Sequence, residues 1–281
     1  MPGTPGEEID SHVTDSKQRF AFGKNWQRFL LRLNEERIIE AENSLKNMLH
    51  IESFSRLSFL DIGCGSGLFS LAAMRLGAER VLSLDYDPQS VACTHSLKDS
   101  FFPGNDRWEI MQGNVLDENY MKGLGEWDIC YSWGVLHHTG DMWKGMDIAL
   151  ARVKPGGIFF TMIYNDQGFM SRVWKRVKLI YNYLPSSLKF LVVLPSFVRL
   201  WGPTLIKDLL KGNTLYSWKN YIKKRGMSPW DDVIDWVGGY PFQVAKPEEV
   251  FRFCRDRGFQ LTELITTRNS AGNEFVFIRS A

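Results

Sequence analysis

From Leu57 to Tyr164 short apolar runs alternate with amphipathic stretches bounded by Gly and Pro, and this alternation constrains the fold more than any other feature. LSFLDIG reads as a buried strand, SGLFSLAAMRLG as a helix stopped by Gly77, RVLSLDY as a second strand, and PQSVACTHSLKDSF as a helix opened by Pro88. WEIMQGN and WDICYSWG follow as strands, GDMWKGMDIALARVK as a helix, then a PGG turn at Pro155 to Gly157 and the strand IFFTMIY. Near the end KPEEVFRFCRDRG gives a helix, and QLTELITT and NEFVFIRS give two strands joined by a short turn, hence antiparallel. Strands separated by helices pair in parallel through right-handed crossovers, with helices on both faces. The expected class is therefore α/β, a seven-stranded and mostly parallel sheet with an antiparallel last strand.

Three segments lie outside this pattern. Residues 1–18, with Pro2, Gly3, Pro5 and Gly6, read as a disordered tail, and 19–57 as an N-terminal helical lid built from one or two amphipathic helices between Lys24 and His50. The third, 167–244, reads as a helical cap inserted after the fifth strand, so the core is split into 58–166 and 245–281. Its charge sets it apart. Between Gly168 and Ser228 stand 12 Lys/Arg against one acid, Asp208, a net +11 in a chain whose total is +2. Its first helix places Phe169, Val173, Val177, Ile180 and Leu184 on one face, with Arg172, Lys175, Arg176 and Lys178 largely on the other. An apolar run broken by Pro195 and Pro203 follows. Such a segment fits a membrane interface or a lid over a lipophilic or anionic substrate, and equally a solvated helical cap.

Nothing at the N-terminus resembles a signal peptide, no uninterrupted span of about 18 apolar residues is apparent, and the four scattered cysteines have neither disulfide nor zinc spacing. A cytoplasmic protein is expected, with peripheral membrane contact through the basic segment as the variant reading.

In an open parallel sheet, ligands bind at the carboxyl ends of the strands, where the first strand-to-helix turn lies. Here that turn is Asp61-Ile62-Gly63-Cys64-Gly65-Ser66-Gly67. A dinucleotide site wants Gly or Ala at position 68, which is Leu68, and no Gly-Lys-Ser/Thr follows for a triphosphate. An acid followed by G-x-G-x-G resembles the first motif of class I S-adenosylmethionine-dependent methyltransferases. Asp85 ends the second strand, where an acid can accept from ribose hydroxyls; Gly113-Asn114-Val115 ends the third; and SWGVLHH, a helix and KPGG look like the small-molecule branch of the quinone-biosynthesis type. The resemblance implies a Rossmann-like fold and S-adenosylmethionine as cofactor. It implies contacts from Asp61, Gly63, Cys64, Gly65, Gly67, Asp85, Tyr86, Asn114, Val115, Ser132 and Trp133, with Asn114 where the family commonly has Asp. Phe22 and Trp26 are candidates for an aromatic lid over the cofactor.

Methyl transfer from a sulfonium needs chiefly a well-placed acceptor lone pair, and a hydroxyl or carbon acid also needs a base. His137 and His138 follow the fourth strand and are the candidate bases, while Tyr131, Tyr164, Trp236, Tyr240 and Phe242 are candidate pocket walls. The acids Asp231, Asp232 and Asp235 read as helix-start residues behind Ser228 and Pro229 rather than metal ligands, and no metal is expected. The favoured activity is methylation of a small-molecule acceptor, at oxygen before sulfur or carbon. Rival readings are an RNA-modifying methyltransferase using the basic segment and a non-catalytic S-adenosylmethionine-binding module. Against the first, the Asn/Asp-Pro-Pro-aromatic motif of exocyclic-amine methylases is absent.

Overall fold

The computed structural model describes residues 23–213, 215–225, 228–267 and 271–280. The N-terminal tail, Phe22 of the proposed lid and the residues just before it lie outside the described residues. The described chain divides into two compact units, one running from Phe169 to Gln243 and the other comprising the chain before and after it.

The larger unit holds α1 (Gly23–Leu30), α2 (Glu35–Leu49), β1 (Ser58–Ile62), α3 (Leu68–Arg75), β2 (Arg80–Asp85), α4 (Pro88–Phe101), β3 (Trp108–Gln112), α5 (Glu118–Gly123), β4 (Trp127–Trp133), α6 (Met142–Leu150) and β5 (Val153–Tyr164). After the helical unit come α11 (Pro247–Arg255), β6 (Phe259–Ile265) and β7 (Gly272–Arg279). The sheet order is β3-β2-β1-β4-β5-β7-β6. β1 to β5 pair in parallel, and β7 runs antiparallel to both β5 and β6. The order reverses direction beside β1, so the loops after β1 and β4 meet at the carboxyl edge.

Both faces of the sheet are covered, which is why the central strands are near-continuous apolar runs. On one side Ile38, Leu45, Leu71, Trp108 and Phe160 pack with α2 and α3; on the other Leu136, Met146, Val250 and Phe275 pack with α6 and α11. Helix starts follow the local chemistry. Asp87 caps α4 by accepting from Gln89 N at 2.9 Å with Pro88 in the first turn, and Asp141 caps α6 by accepting from Lys144 N at 3.2 Å. The PGG stretch is a finding against expectation: it is an irregularity inside β5, between the pairs Trp127 with Val153 and Ile129 with Ile158, rather than a turn ahead of the strand.

The smaller unit contains α7 (Phe169–Tyr183), α8 (Phe190–Leu210), α9 (Tyr216–Arg225) and α10 (Pro229–Gly238). Ser228 accepts from Asp231 N at 3.1 Å, so it caps α10 as its sequence suggested. Two expectations are corrected. The buried face of α7 is Ser171, Trp174, Lys178 and Tyr181, while Phe169 and Ile180 are exposed. Large rings decide the face, because Trp174 packs edge-on against Trp236 of α10 at 5.5 Å, and Lys178 follows it inward. Second, Pro195 and Pro203 lie inside α8 without ending it, and Ser186–Leu210 is long and apolar enough to cross a membrane.

Candidate functional site

The turn after β1 is made possible by glycine. Gly63, Gly65 and Gly67 have φ of 82°, 55° and 81°, the left-handed region that side chains rarely adopt. Neighbours also leave no room: a Cβ on Gly63 would meet Val135 at 2.3 Å, one on Gly65 the Trp26 indole at 2.8 Å, and one on Gly67 Thr94 at 2.7 Å. Three separate elements therefore close on the loop, namely the segment after β4, α1 and α4.

Four of the loop's backbone donors are already used. Gly63 N and Cys64 N donate to Leu84 O at 2.7 and 3.0 Å, Gly65 N to Asp85 Oδ2 at 2.9 Å, and Gly67 N to Cys64 O at 2.8 Å. Asp85 also accepts from Asp87 N through Oδ1 at 2.9 Å, and the Tyr86 amide is a third backbone donor to it, so one of its four lone pairs remains for a further donor. Burial raises its pKa from 3.8 to about 6.

Asp61 is buried beneath the loop. It ends a chain of donors: Trp108 Nε1 to Ser83 Oγ at 2.8 Å, Ser83 Oγ to Ser70 Oγ at 2.6 Å, and Ser70 Oγ to Asp61 Oδ2 at 2.6 Å. Burial raises the Asp61 pKa from 3.8 to about 7, with the Asp85 charge adding to the rise and the Ser70 hydrogen bond opposing it. Sequence reasoning missed this chain. Its signal was the serine inside each apolar run, RVLSLDY and GLFSLAAM.

The remaining candidates divide. Trp26 sits against Gly65, and Gly23 N donates to Asp87 Oδ2 at 2.9 Å, so α1 is moored beside the loop. Tyr86 is exposed just beyond Asp85. Asn114 Oδ1 accepts from Leu116 N at 3.0 Å, which leaves its amide hydrogens as the outward donors, and Val115 beside it is buried. Three other residues turn away. The Cys64 thiol lies 3.3 Å from Thr94 Oγ1, with its pKa pushed well up by burial, so only its backbone faces the turn. Ser132 is buried and donates to Ile62 O at 3.2 Å, tying β4 to β1. Tyr131 lies in the core between Phe69 and Phe160, at 4.9 and 5.1 Å, instead of lining a pocket. Trp133 at the end of β4 is 40% exposed.

Beyond β4 a 3₁₀ turn, Leu136–His138, groups three rings: His137 lies 4.4 Å from His138 and 3.9 Å from Tyr164, and His138 meets Tyr164 edge-on at 5.3 Å. His137 is fully buried, and His138 is partly exposed. Val135, pressed on Gly63, fixes this turn against the glycine loop. Trp236, Tyr240 and Phe242 belong to the helical unit. There the fully buried Lys178 amine lies over Trp236 and Phe242, at 4.0 and 4.7 Å from the ring centres, and donates to Trp236 O. Among the described residues no group of three His, Cys, Asp or Glu is arranged to hold a metal.

Comparison with known proteins gives the same class. The family model Ribosomal protein L11 methyltransferase (PrmA) matches residues 43–100. A ubiquinone biosynthesis O-methyltransferase of Methylobacterium sp. is 30% identical over 179 residues, covering 59% of this chain and 68% of that protein. A ribosomal protein L11 methyltransferase of Lachnospira eligens is 25% identical over 103 residues, or 36% of this chain, and the chain spans only 32% of that protein's length. Two solved structures share the fold. The magnesium protoporphyrin IX methyltransferase of Synechocystis PCC 6803 with bound SAH has a TM-score of 0.51 at 14% identity, covering 87% of this chain and 84% of that one. An O-methyltransferase family protein of Burkholderia thailandensis has a TM-score of 0.53 at 13% identity, covering 87% and 57%. The chain belongs to the class I S-adenosylmethionine-dependent methyltransferases.

The residues present fit the family's cofactor. The cradle is glycine where a Cβ would collide, an acid with acceptor capacity left stands at the end of β2, and a second acid lies under the loop.

Proposed function

We propose that the protein methylates a small-molecule acceptor, at oxygen in preference to sulfur or carbon. The observation that carries this reading is the His137, His138 and Tyr164 ring cluster held against the glycine loop by Val135. In the cofactor site, Asp85 would accept from the ribose hydroxyls, the Asn114 amide and Tyr86 would meet the adenine, and Asp61 would face the amino-acid end. Trp26 would cover the loop as a lid. S-adenosylmethionine supplies a methyl group on a sulfonium, displaced in line by the acceptor's lone pair. His138, partly exposed, is placed to take the acceptor's proton, and His137 holds the His138 and Tyr164 rings in place. The unit from Phe169 to Gln243 would act as the substrate cap.

A protein acceptor is the second reading, favoured by the ribosomal protein L11 methyltransferase match. The family model ends at residue 100, ahead of Val135 and the ring cluster, whereas the Lachnospira eligens relative aligns over 103 residues, so the two acceptor classes are separated by turnover. The test is formation of S-adenosylhomocysteine across a panel of phenols, thiols, sugars and a ribosomal-protein acceptor, repeated with His137→Ala and His138→Ala. A small hydroxyl acceptor with rate loss of about 100-fold or more in His138→Ala supports the assignment. Turnover of the protein alone, or full rate in both variants, overturns it.

A further inference from the structure

We propose that the helical unit docks on an anionic lipid bilayer through the outward face of α8, lying in the interface rather than crossing it. The helix is two-sided. Val193, Ser196 and Asp208 are buried, and α8 packs with α7, α9 and α10. On the opposite side Leu191, Leu194, Val198, Ile206 and Leu209 recur at three-, four-, eight- and three-residue steps. They form one stripe along the helix, and each is 53–62% exposed. Water-facing apolar residues aligned over most of a 21-residue helix are the feature expected of an interfacial helix, not of a solvated cap.

Charge selects the partner. Of the 12 Lys/Arg and one acid between Gly168 and Ser228, the acid turns away from the surface: Asp208 is buried and accepts from Ser217 N and Oγ at 2.7 and 2.8 Å. Arg199 and Lys207 are exposed along α8, and Lys211 is exposed just after it. An anionic bilayer supplies both the counter-charge and an apolar boundary. Nucleic acid supplies no apolar partner of that length, and a second copy would bring one net +11 segment against another. Crossing the bilayer is disfavoured because α8 would carry Arg199, Lys207 and the Asp208–Ser217 staple into hydrocarbon.

The test uses the full chain without cofactor or acceptor, so its outcome is separate from that of the turnover assay. Sedimentation with phosphatidylglycerol/phosphatidylcholine vesicles should retain the protein, pure phosphatidylcholine should retain much less, and high salt should release it. The double variant Val198→Glu/Ile206→Glu should weaken retention about tenfold or more. Both side chains face water, so its melting temperature should match wild type. A second variant, Arg199→Glu/Lys207→Glu, should weaken retention on the anionic vesicles only. The proposal is overturned by no retention on anionic vesicles, by unchanged retention in both variants, by resistance to alkaline carbonate extraction, or by a dimer that Val198→Glu/Ile206→Glu splits.

Discussion

Replacing Asp61 by Asn should abolish a pH dependence of stability that the wild-type chain carries. The carboxyl is buried under the glycine loop, and its pKa is about 7 in the fold against 3.8 for the free group. The folded state therefore holds more protons than the unfolded one between those values, so stability is highest at the acid end and falls as pH rises through about 7. A tenfold change in proton affinity between the two states is worth about 1.4 kcal/mol, which puts the loss from this one group at about 4 kcal/mol between about pH 4 and pH 8. Asn keeps the acceptor for the Ser70 hydroxyl and never ionises. Urea denaturation of both proteins across that range isolates the group, because every other titrating residue is common to both. The difference between Asp61→Asn and wild type should move by about 4 kcal/mol in the variant's favour from about pH 4 to pH 8. A difference flat to within about 1 kcal/mol would refute the assignment of an uncompensated buried carboxyl.

Other perturbations follow from the same geometry. Gly65→Ala forces a Cβ to within 2.8 Å of the Trp26 ring at φ of 55°; it should lower the melting temperature by several degrees and cut S-adenosylmethionine affinity about tenfold or more, read by calorimetry. Asp85→Asn removes charge-assisted acceptance and should weaken the same affinity by about 10- to 100-fold, with urea stability showing that the fold persists. Lys178→Met should stabilise the protein at about pH 7. Burial holds the Lys178 pKa well below 10.5, so wild-type stability rises with pH as the unfolded state loses its extra proton. The gap between Lys178→Met and wild type should accordingly close towards about pH 10, and a gap constant with pH would count against a buried, deprotonated amine.

Strand and helix order were legible because each central strand is covered on both faces and each crossover helix has its own punctuation, such as Asp87-Pro88 or Gly77. Side-chain direction was less so. Tyr131 and Ser132 are neighbours on β4 and point to opposite faces, and nothing in WDICYSWG says which face meets which helix layer. The candidate acids Asp61 and Asp85 stood out because an acid in an apolar strand is conspicuous, whereas Ser70 and Ser83 look like ordinary small core residues until Trp108 is brought to them across β3 and β2. Lys178 was misassigned for a related reason. Its partner ring, Trp236, lies 58 positions further on, and a helical wheel weighs charge without seeing which face carries the largest rings.

The backbone of the glycine loop also decides which ligand it can take. A phosphate-binding turn presents free amide hydrogens at a helix start. Here the amides of Gly63, Cys64, Gly65 and Gly67 all donate within the protein, one of them into the Asp85 carboxylate. A pyrophosphate brought to this turn would find those four donors taken, a carboxylate bonded to the loop itself and a second acid buried below. The same arrangement suits a ligand carrying positive charge and unphosphorylated ribose hydroxyls. The third glycine, one position early for a dinucleotide, is part of the cause: Gly67 in the left-handed region bends its own amide back onto Cys64 O and starts α3 there. Those four occupied amides work against a pyrophosphate at this turn, so Asp85→Asn, which frees at most the Gly65 amide, should lower affinity for S-adenosylmethionine without creating affinity for NAD. A gain of NAD binding by the variant in calorimetry would refute this, because the Asp85 charge and not the occupied amides would then be the barrier.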